Sequence, residues 1–320
     1  MPLLQSTYKR PVLLCNKHLE TIYPALFRPD AQVVAEKERL ELPDGDFLDL
    51  DWYRQGSDKL FILSHGLEGS SQSTYIRWMC KRLLTEGWDV LAWNFRGCSD
   101  TPNRLLRFYH SGESNDLRLL LNLAVYPTSY QQFFLIGFSM GGNITLKYLG
   151  EQENDLDSRL RCAVTFSVPC DLASGAELLA EWKSTVYMKR FMKSLKAKIR
   201  EKATRYPQIV TKELEDIHTF KTFDEVYTAP LHGFASAKEY WRLNSSRFFI
   251  PAITLPTLLI SAKNDPFLTP ACYPVESGTS MQQFFLEIPK HGGHCGFSQF
   301  NSTGFYWSED RCIEFIQQYL

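Results

Sequence analysis

The chain has 320 residues, 44% of them hydrophobic and 14% aromatic, which is enough apolar material for a large core and excludes an intrinsically disordered polypeptide. A formal net charge of −1 leaves no basic surplus for binding phosphates, so a nucleic-acid partner is disfavoured. Met1 to Arg10 has no apolar stretch of signal-peptide length and no run elsewhere is long enough to span a bilayer; a cytoplasmic protein without stable membrane insertion is expected.

The predicted elements begin with Val33 to Leu42 and Phe47 to Tyr53, joined by Pro43-Asp44-Gly45-Asp46, a turn sequence suited to an antiparallel hairpin. Six short apolar runs follow: Leu60 to Leu63, Val90 to Trp93, Phe133 to Ile136, Ala163 to Phe166, Leu258 to Ile260, and Phe284 to Ile288. Near-continuous hydrophobicity in runs this short, with helical stretches between them, is the pattern of strands buried on both faces of a parallel sheet. The expected fold is α/β, with a mostly parallel eight-stranded sheet and helices on both faces.

Between Pro169 and Pro256 lies far more chain than a crossover requires. A helical cap over 172–250 is expected there, inserted after the sixth strand of a single domain covering 1–320. Within it, Met188, Phe191, Met192, Leu195 and Ile199 recur at helical spacing, while Lys189, Arg190, Lys193, Lys196, Lys198 and Arg200 fill the remaining positions. The pattern predicts a basic amphipathic helix with its apolar stripe on the core and its charged face in solvent; weak association with an anionic lipid surface is the second use of such a face. Cys15, Cys80, Cys98, Cys162, Cys170, Cys272, Cys295 and Cys312 form no C-x-x-C pair, so reduced, mostly buried thiols are expected and no metal site.

The chemistry centres on Gly137-Phe138-Ser139-Met140-Gly141, which follows the strand-like Phe133 to Ile136 and precedes the helix-like Gly142 to Leu149. That context is a nucleophile elbow, a strand-to-helix turn sharp enough to project the serine hydroxyl into a cleft. A serine needs a base to take its proton and a third group to orient the base. In a fold of this kind acid and histidine follow in chain order, each after a strand. Asp265 lies in the Ser261 to Pro266 loop after one strand, and His294 in the loop after the next. His291 competes with His294 and spacing does not choose between them; His294 is favoured because Gly292-Gly293 precedes it and Cys295-Gly296-Phe297 continues toward a packed aromatic. Asp224 is a weaker acid candidate, since no strand-like run leads into it. An oxyanion would be met by the backbone N–H groups of Met140 and of Leu67, in the loop Ser64 to Gly69. His65 in that loop is expected to brace it by hydrogen bonding, and the absence of G-x-G-x-x-G argues against a cofactor. An imidazole base acts when neutral, so hydrolysis is expected to rise through about pH 6 to 7.

Other polar residues take structural readings. Ser111 is expected to cap the following helix, Glu113 to sit in its first turn, Arg96 to tie the intervening loop together, and His110 to belong with them. Trp182, Tyr187, Phe191 and Trp241 are expected to line an acyl pocket, which favours short- to medium-chain esters.

Several segments together resemble one family. They include Asn16-Lys17-His18-Leu19-Glu20-Thr21, His65-Gly66-Leu67-Glu68-Gly69, Asn94-Phe95-Arg96-Gly97-Cys98-Ser99, Tyr109-His110-Ser111-Gly112-Glu113, His232-Gly233-Phe234 and Gly292-Gly293-His294-Cys295-Gly296-Phe297. The chain is similar over nearly its whole length to the YheT-like branch of the α/β-hydrolases, which includes plant embryogenesis-associated hydrolases and yeast medium-chain ester enzymes. The resemblance implies an α/β-hydrolase fold and a cofactor-free serine carboxylic-ester hydrolase with nucleophile Ser139, acid Asp265 and base His294, and speaks to mechanism more than to substrate; a small, lipid-like ester is the expected partner. Glu20 departs from the glutamine of that pattern, which puts only the N-terminal segment's hydrogen bonding in question. A thioesterase or acyltransferase would use the same machinery, and a non-catalytic scaffold is the alternative from another class.

Overall fold

The computed structural model describes residues 3–152, 155–181 and 184–320. Strands β2 (Glu36–Glu41) and β3 (Phe47–Tyr53) form the hairpin, closed by Leu42 N–H donating to Asp46 O, with Gly45 at φ +83° in the turn. The six apolar runs become β4 (Lys59–Ser64), β5 (Asp89–Trp93), β6 (Gln132–Phe138), β7 (Leu160–Phe166), β8 (Thr257–Ile260) and β9 (Phe284–Glu287). Among the described residues nine strands, and not the expected eight, make up the sheet, because β1 (Leu3–Leu4) adds to its edge, parallel to Leu286 and Glu287. Two residues are too few to leave a periodic signal in a sequence. The order is β1-β9-β8-β7-β6-β4-β5-β3-β2; β3 pairs antiparallel with β2 and β5, and the pairings from β5 through to β1 are parallel.

The helices before the insertion are α1 (Lys17–Phe27), α2 (Thr74–Thr85), α3 (Ser114–Leu120) and α4 (Met140–Gln152). The insertion holds α5 (Leu172–Ala180), α6 (Thr185–Arg205), α7 (Phe220–Phe223), α8 (Ala229–Leu231) and α9 (Ala237–Asn244) between β7 and β8, so it follows the seventh strand and not the expected sixth, since β1 adds one to the count; α10 (Val275–Ser280) and α11 (Trp307–Ile316) come after it. Successive strand residues point to opposite faces, and here both faces are covered. Ile62, Leu91, Phe133 and Leu135 join a layer with Leu117 of α3 and Ile144 of α4, whereas Phe61, Val90, Phe134 and Ile136 join one with Ile76 and Leu83 of α2 and Ile313 of α11. That double coverage is why these strands carry no polar alternation. Each large side chain so buried is worth roughly 1.5–3 kcal/mol.

In the insertion, Asp171 caps α5 by accepting Ser174 N–H and Ser236 caps α9 by accepting Glu239 N–H. Met188, Met192, Leu195 and Ile199 of α6 are buried, and Phe191 packs half-buried against the same core. The charged side of α6 is not the uniformly solvated face expected. Lys196 Nζ donates to Glu215 O at 2.8 Å, Lys198 Nζ lies 2.9 Å from Glu68 Oε1, and Lys202 Nζ donates to Asn103 O at 3.0 Å. Their apolar stems extend over the core and their heads find acceptors there; Lys189, Arg190, Lys193 and Arg200 remain exposed. Trp182 lies outside the described residues. All eight cysteines are free thiols, and no helix among the described residues is long and apolar enough to cross a membrane.

Candidate active site

At the end of β6 the chain turns through Ser139, whose φ of +51° lies in the left-handed region that costs a non-glycine residue roughly 1–2 kcal/mol. Its N–H donates to Phe166 O at 2.8 Å, and its carbonyl accepts Asn143 N–H at 3.0 Å, opening α4. The turn is so tight that a Cβ on Gly137 would stand 2.7 Å from Gly141 O, which only glycine avoids.

The loops after β8 and β9 deliver the other two side chains. His294 Nε2 lies 3.0 Å from Ser139 Oγ, and its Nδ1 lies 2.9 and 3.1 Å from the two oxygens of Asp265. Asp265 is buried and also accepts Phe267 N–H at 2.9 Å, while the His294 ring packs on Phe267 with centroids 4.3 Å apart. A carboxylate at Nδ1 selects the tautomer with its proton there, leaving the Nε2 lone pair facing the hydroxyl.

The histidine loop is held from outside itself. Gly293 N–H donates to Asn264 Oδ1 at 3.1 Å, His294 N–H to Thr21 Oγ1 at 3.0 Å, and Cys295 N–H to Ser167 Oγ at 2.9 Å. Gly293 has φ +59°, and a Cβ there would meet Thr21 Oγ1 at 2.7 Å. Thr21 and Ser167 had no role in the sequence reading. The one signal for Thr21 was an N-terminal motif without chemistry of its own. Glu20 accepts from Asn264 Nδ2 at 2.5 Å, so the departure from glutamine preserves an acceptor there.

The alternative candidates lie elsewhere. His291 hydrogen-bonds neither Ser139 nor Asp265, and its buried Nδ1 has no partner among the described residues. Asp224 accepts from Thr228 Oγ1 at 2.6 Å and Trp241 Nε1 at 2.8 Å, not from His294; burial pushes its carboxyl up to about 6.

Beside the serine, the loop after β4 approaches so closely that a Cβ on Gly66 would lie 3.3 Å from Ser139 Cβ. Leu67 and Met140 line the same cavity as Ser139 and His294. Met140 opens α4, where backbone donors have no intrahelical acceptor. His65 is fully buried with both nitrogens engaged: Nδ1 bonds Gly66 O at 2.8 Å and Nε2 accepts Phe95 N–H at 3.2 Å. Burial pushes its pKa down to about 3, so it is a neutral brace.

Two cavities meet at Ser139, His294, Leu67, Phe191 and Phe267. One, of about 110 Å³, is walled by apolar residues including Met140, Leu172, Leu179, Phe223 and Trp241. The other, of about 350 Å³, is more polar and includes Glu68, Tyr187, Arg190 and Ser194. Phe191 and Trp241 therefore line the apolar cavity as expected, whereas Tyr187 belongs to the polar one.

The remaining polar motifs build scaffold. Arg96 is buried, bonded by Nε and Nη2 to Asp116 at 2.8 Å each and by Nη1 to Asp46 at 3.1 Å, tying the loop after β5 to the hairpin turn. Ser111 does not cap α3; Glu113 occupies the N-cap position instead of the first turn and makes no side-chain cap. Its carboxylate meets Arg107 Nη1 at 2.9 Å and His110 Nε2 at 3.3 Å. His110, Glu113 and His232 hold their ligand atoms within 4.8 Å of one another. The donor chemistry does not suit a metal, because Gly112 N–H donates to His110 Nδ1 and so puts the ring proton on Nε2, the atom that would have to bind the ion, while Arg107 occupies the carboxylate.

Comparison with known proteins gives a consistent picture. The family model described as the alpha/beta hydrolase fold matches residues 59–300. The YheT protein of Escherichia coli (strain K12) is 34% identical over 95% of this chain and 91% of its own length. A monoacylglycerol lipase of Saccharomyces cerevisiae is 28% identical over 79% of this chain and 58% of its own. Among solved structures, the Pyrococcus furiosus esterase Pf2001 superposes with a TM-score of 0.59 at 19% identity, covering 90% of this chain and 94% of that one.

Proposed function

Since the chain belongs to the α/β-hydrolase family, in its YheT-like branch, and is a hydrolase, we propose that it is a serine carboxylic-ester hydrolase working through an acyl-enzyme. Ser139 Oγ attacks the ester carbonyl while His294 Nε2 takes its proton, and Asp265 stabilises the resulting imidazolium. The Leu67 and Met140 N–H groups receive the oxyanion. As the tetrahedral species collapses, the C–O bond to the alcohol breaks and the imidazolium returns the proton to that oxygen. Water, deprotonated by the same histidine, then attacks the acyl-enzyme and releases the acid and Ser139. No step requires a cofactor.

The observation that carries this reading is the unbroken contact from Ser139 Oγ through His294 to buried Asp265, at 3.0 and 2.9 Å, at the junction of two cavities. The apolar cavity suits the acyl chain and the polar one the alcohol. At about 110 Å³ the former is comparable to the apolar cavity of about 150 Å³ that takes benzene, which favours short- to medium-chain acyl groups. The names of the Escherichia coli and yeast relatives include esterase and lipase, which supports small, lipid-like esters as substrates. On this reading 1–320 is one domain, 172–250 is its cap, and the exposed Lys189, Arg190 and Lys193 supply weak attraction to anionic lipid. A cytoplasmic location suits the eight thiols.

The test is Ser139→Ala assayed on p-nitrophenyl butyrate, with circular dichroism to verify folding. Loss of turnover together with fluorophosphonate labelling of Ser139 in the unaltered protein is expected; turnover retained by the variant overturns the assignment.

A further inference from the structure

Glu68 follows one of the two proposed oxyanion donors, and its backbone is unusual for a glutamate. Gly69 N–H closes a turn onto Gly66 O at 3.0 Å, and Glu68 occupies the third position with φ +53°, which glycine or asparagine normally fills in such a turn. The side chain is only 7% exposed and gathers partners from distant segments. Tyr109 Oη lies 2.5 Å from Oε1 and accepts Glu68's own N–H at 3.2 Å. Lys198 Nζ lies 2.9 Å from Oε1, and the Ser194 hydroxyl donates to Oε2. Ser194 and Lys198 stand one turn apart on α6, and Lys198 also reaches Cys98 Sγ at 3.4 Å. A residue one peptide away from Leu67 N–H is thus clasped to a helix 126 residues further along the chain.

Resting on the reading of Ser139 as nucleophile, we propose that Glu68 is a positioning residue: its clasp to Ser194 and Lys198 makes the direction of the Leu67 N–H depend on α6 being seated. A donor stabilises a developing oxyanion only when it is held in place before the charge appears. Released from the clasp, the Leu67–Glu68 peptide rotates to relieve the left-handed φ. The adjoining Gly66–Leu67 peptide, which carries the donor, then loses its fixed direction. Lys198 lines neither of the two cavities at the serine, so its effect on turnover travels through Glu68.

The experiment measures kcat and KM on p-nitrophenyl butyrate, normalised to serine labelled to completion by fluorophosphonate, for the unaltered protein, Glu68→Gln, Lys198→Met and Glu68→Gly. Both charge variants are expected to lose about tenfold in kcat per labelled site, with KM within about twofold, since a misaligned donor costs less than the 10²–10³ of a deleted one. Glu68→Gly deletes the clasp but holds a left-handed φ without strain, so the turn keeps its shape: it should melt no lower than Glu68→Gln and turn over faster than it. Unchanged kcat per labelled site, with lower melting temperatures and fewer labelled sites, overturns the proposal in favour of a purely structural clasp. If the charge variants do not fold, Ser194→Ala gives the same reading with one hydrogen bond removed. An unaltered protein that neither labels nor turns over would instead remove the Ser139 reading itself.

Discussion

Two histidine–carboxylate pairs stand near the same cavity and differ in what each imidazole has left to offer. His294 spends Nδ1 on buried Asp265 and keeps Nε2 for Ser139. His110 spends Nε2 on Glu113 and Nδ1 on Gly112 N–H, so neither nitrogen faces a substrate. Both imidazoles come from glycine-containing motifs, and both carboxylates are buried. Contact between an imidazole and a carboxylate is therefore a poor guide to catalysis; the free second nitrogen distinguishes the candidate base from the strut.

The comparison breaks most sharply at the carboxylates. Asp265→Asn should lower kcat on a p-nitrophenyl ester by about 10³–10⁴-fold, because an amide donating to Nδ1 selects the wrong tautomer. A loss under tenfold would show that His294 does not depend on Asp265. Glu113→Gln should do the reverse, destabilising the fold by about 3–5 kcal/mol through a broken buried ion network while leaving kcat per fluorophosphonate-labelled site within a few-fold. Denaturant melts and titrated kinetics on one preparation separate the two. Although burial alone would raise it, the His110 hydrogen bond and Arg107 hold the Glu113 carboxyl below the ordinary glutamate range. Its contribution to stability is therefore present above about pH 4 and lost as the pH falls further, and the gap between parent and Glu113→Gln should narrow in acid.

Smaller effects sharpen the contrast. Filling the apolar cavity with Ala176→Leu should move the preferred acyl length down by a few carbons, worth about 1–3 kcal/mol in kcat/KM between butyrate and octanoate esters. An unchanged profile would place the acyl chain in the other cavity. Asp224, a carboxyl with no histidine partner, should show up in stability alone. Burial pushes it up to about 6, against an ordinary value near 3.9, so the stability it contributes is present below about pH 4 and lost as pH rises through about 6. The melting temperature of the parent relative to Asp224→Asn should fall between pH 4 and 6 and stay level above 7.

Local features were legible in the sequence. Strands appear as short continuous apolar runs because both faces of each are covered, and the elbow shows as a serine between glycines at a strand-to-helix junction because the backbone permits little else there. The hairpin turn was readable for the same reason. What escaped was either too short, as with β1, or decided at a distance. Lys196 and Lys198 look like a solvated face by periodicity, and only the arrival of Glu215 and Glu68 turns them inward.

By itself, then, the sequence determined the order of elements and the identities of the serine, acid and histidine candidates, since these depend on neighbours a few residues apart. Which histidine meets which carboxylate, which lysines are buried, and how the loop at Leu67 is held were settled only by tertiary structure. Those contacts are made between separate loops and helices, from Asp265 and His294, 29 residues apart, to Glu68 and Ser194, 126 apart, and no local periodicity records which partner will be within hydrogen-bonding reach.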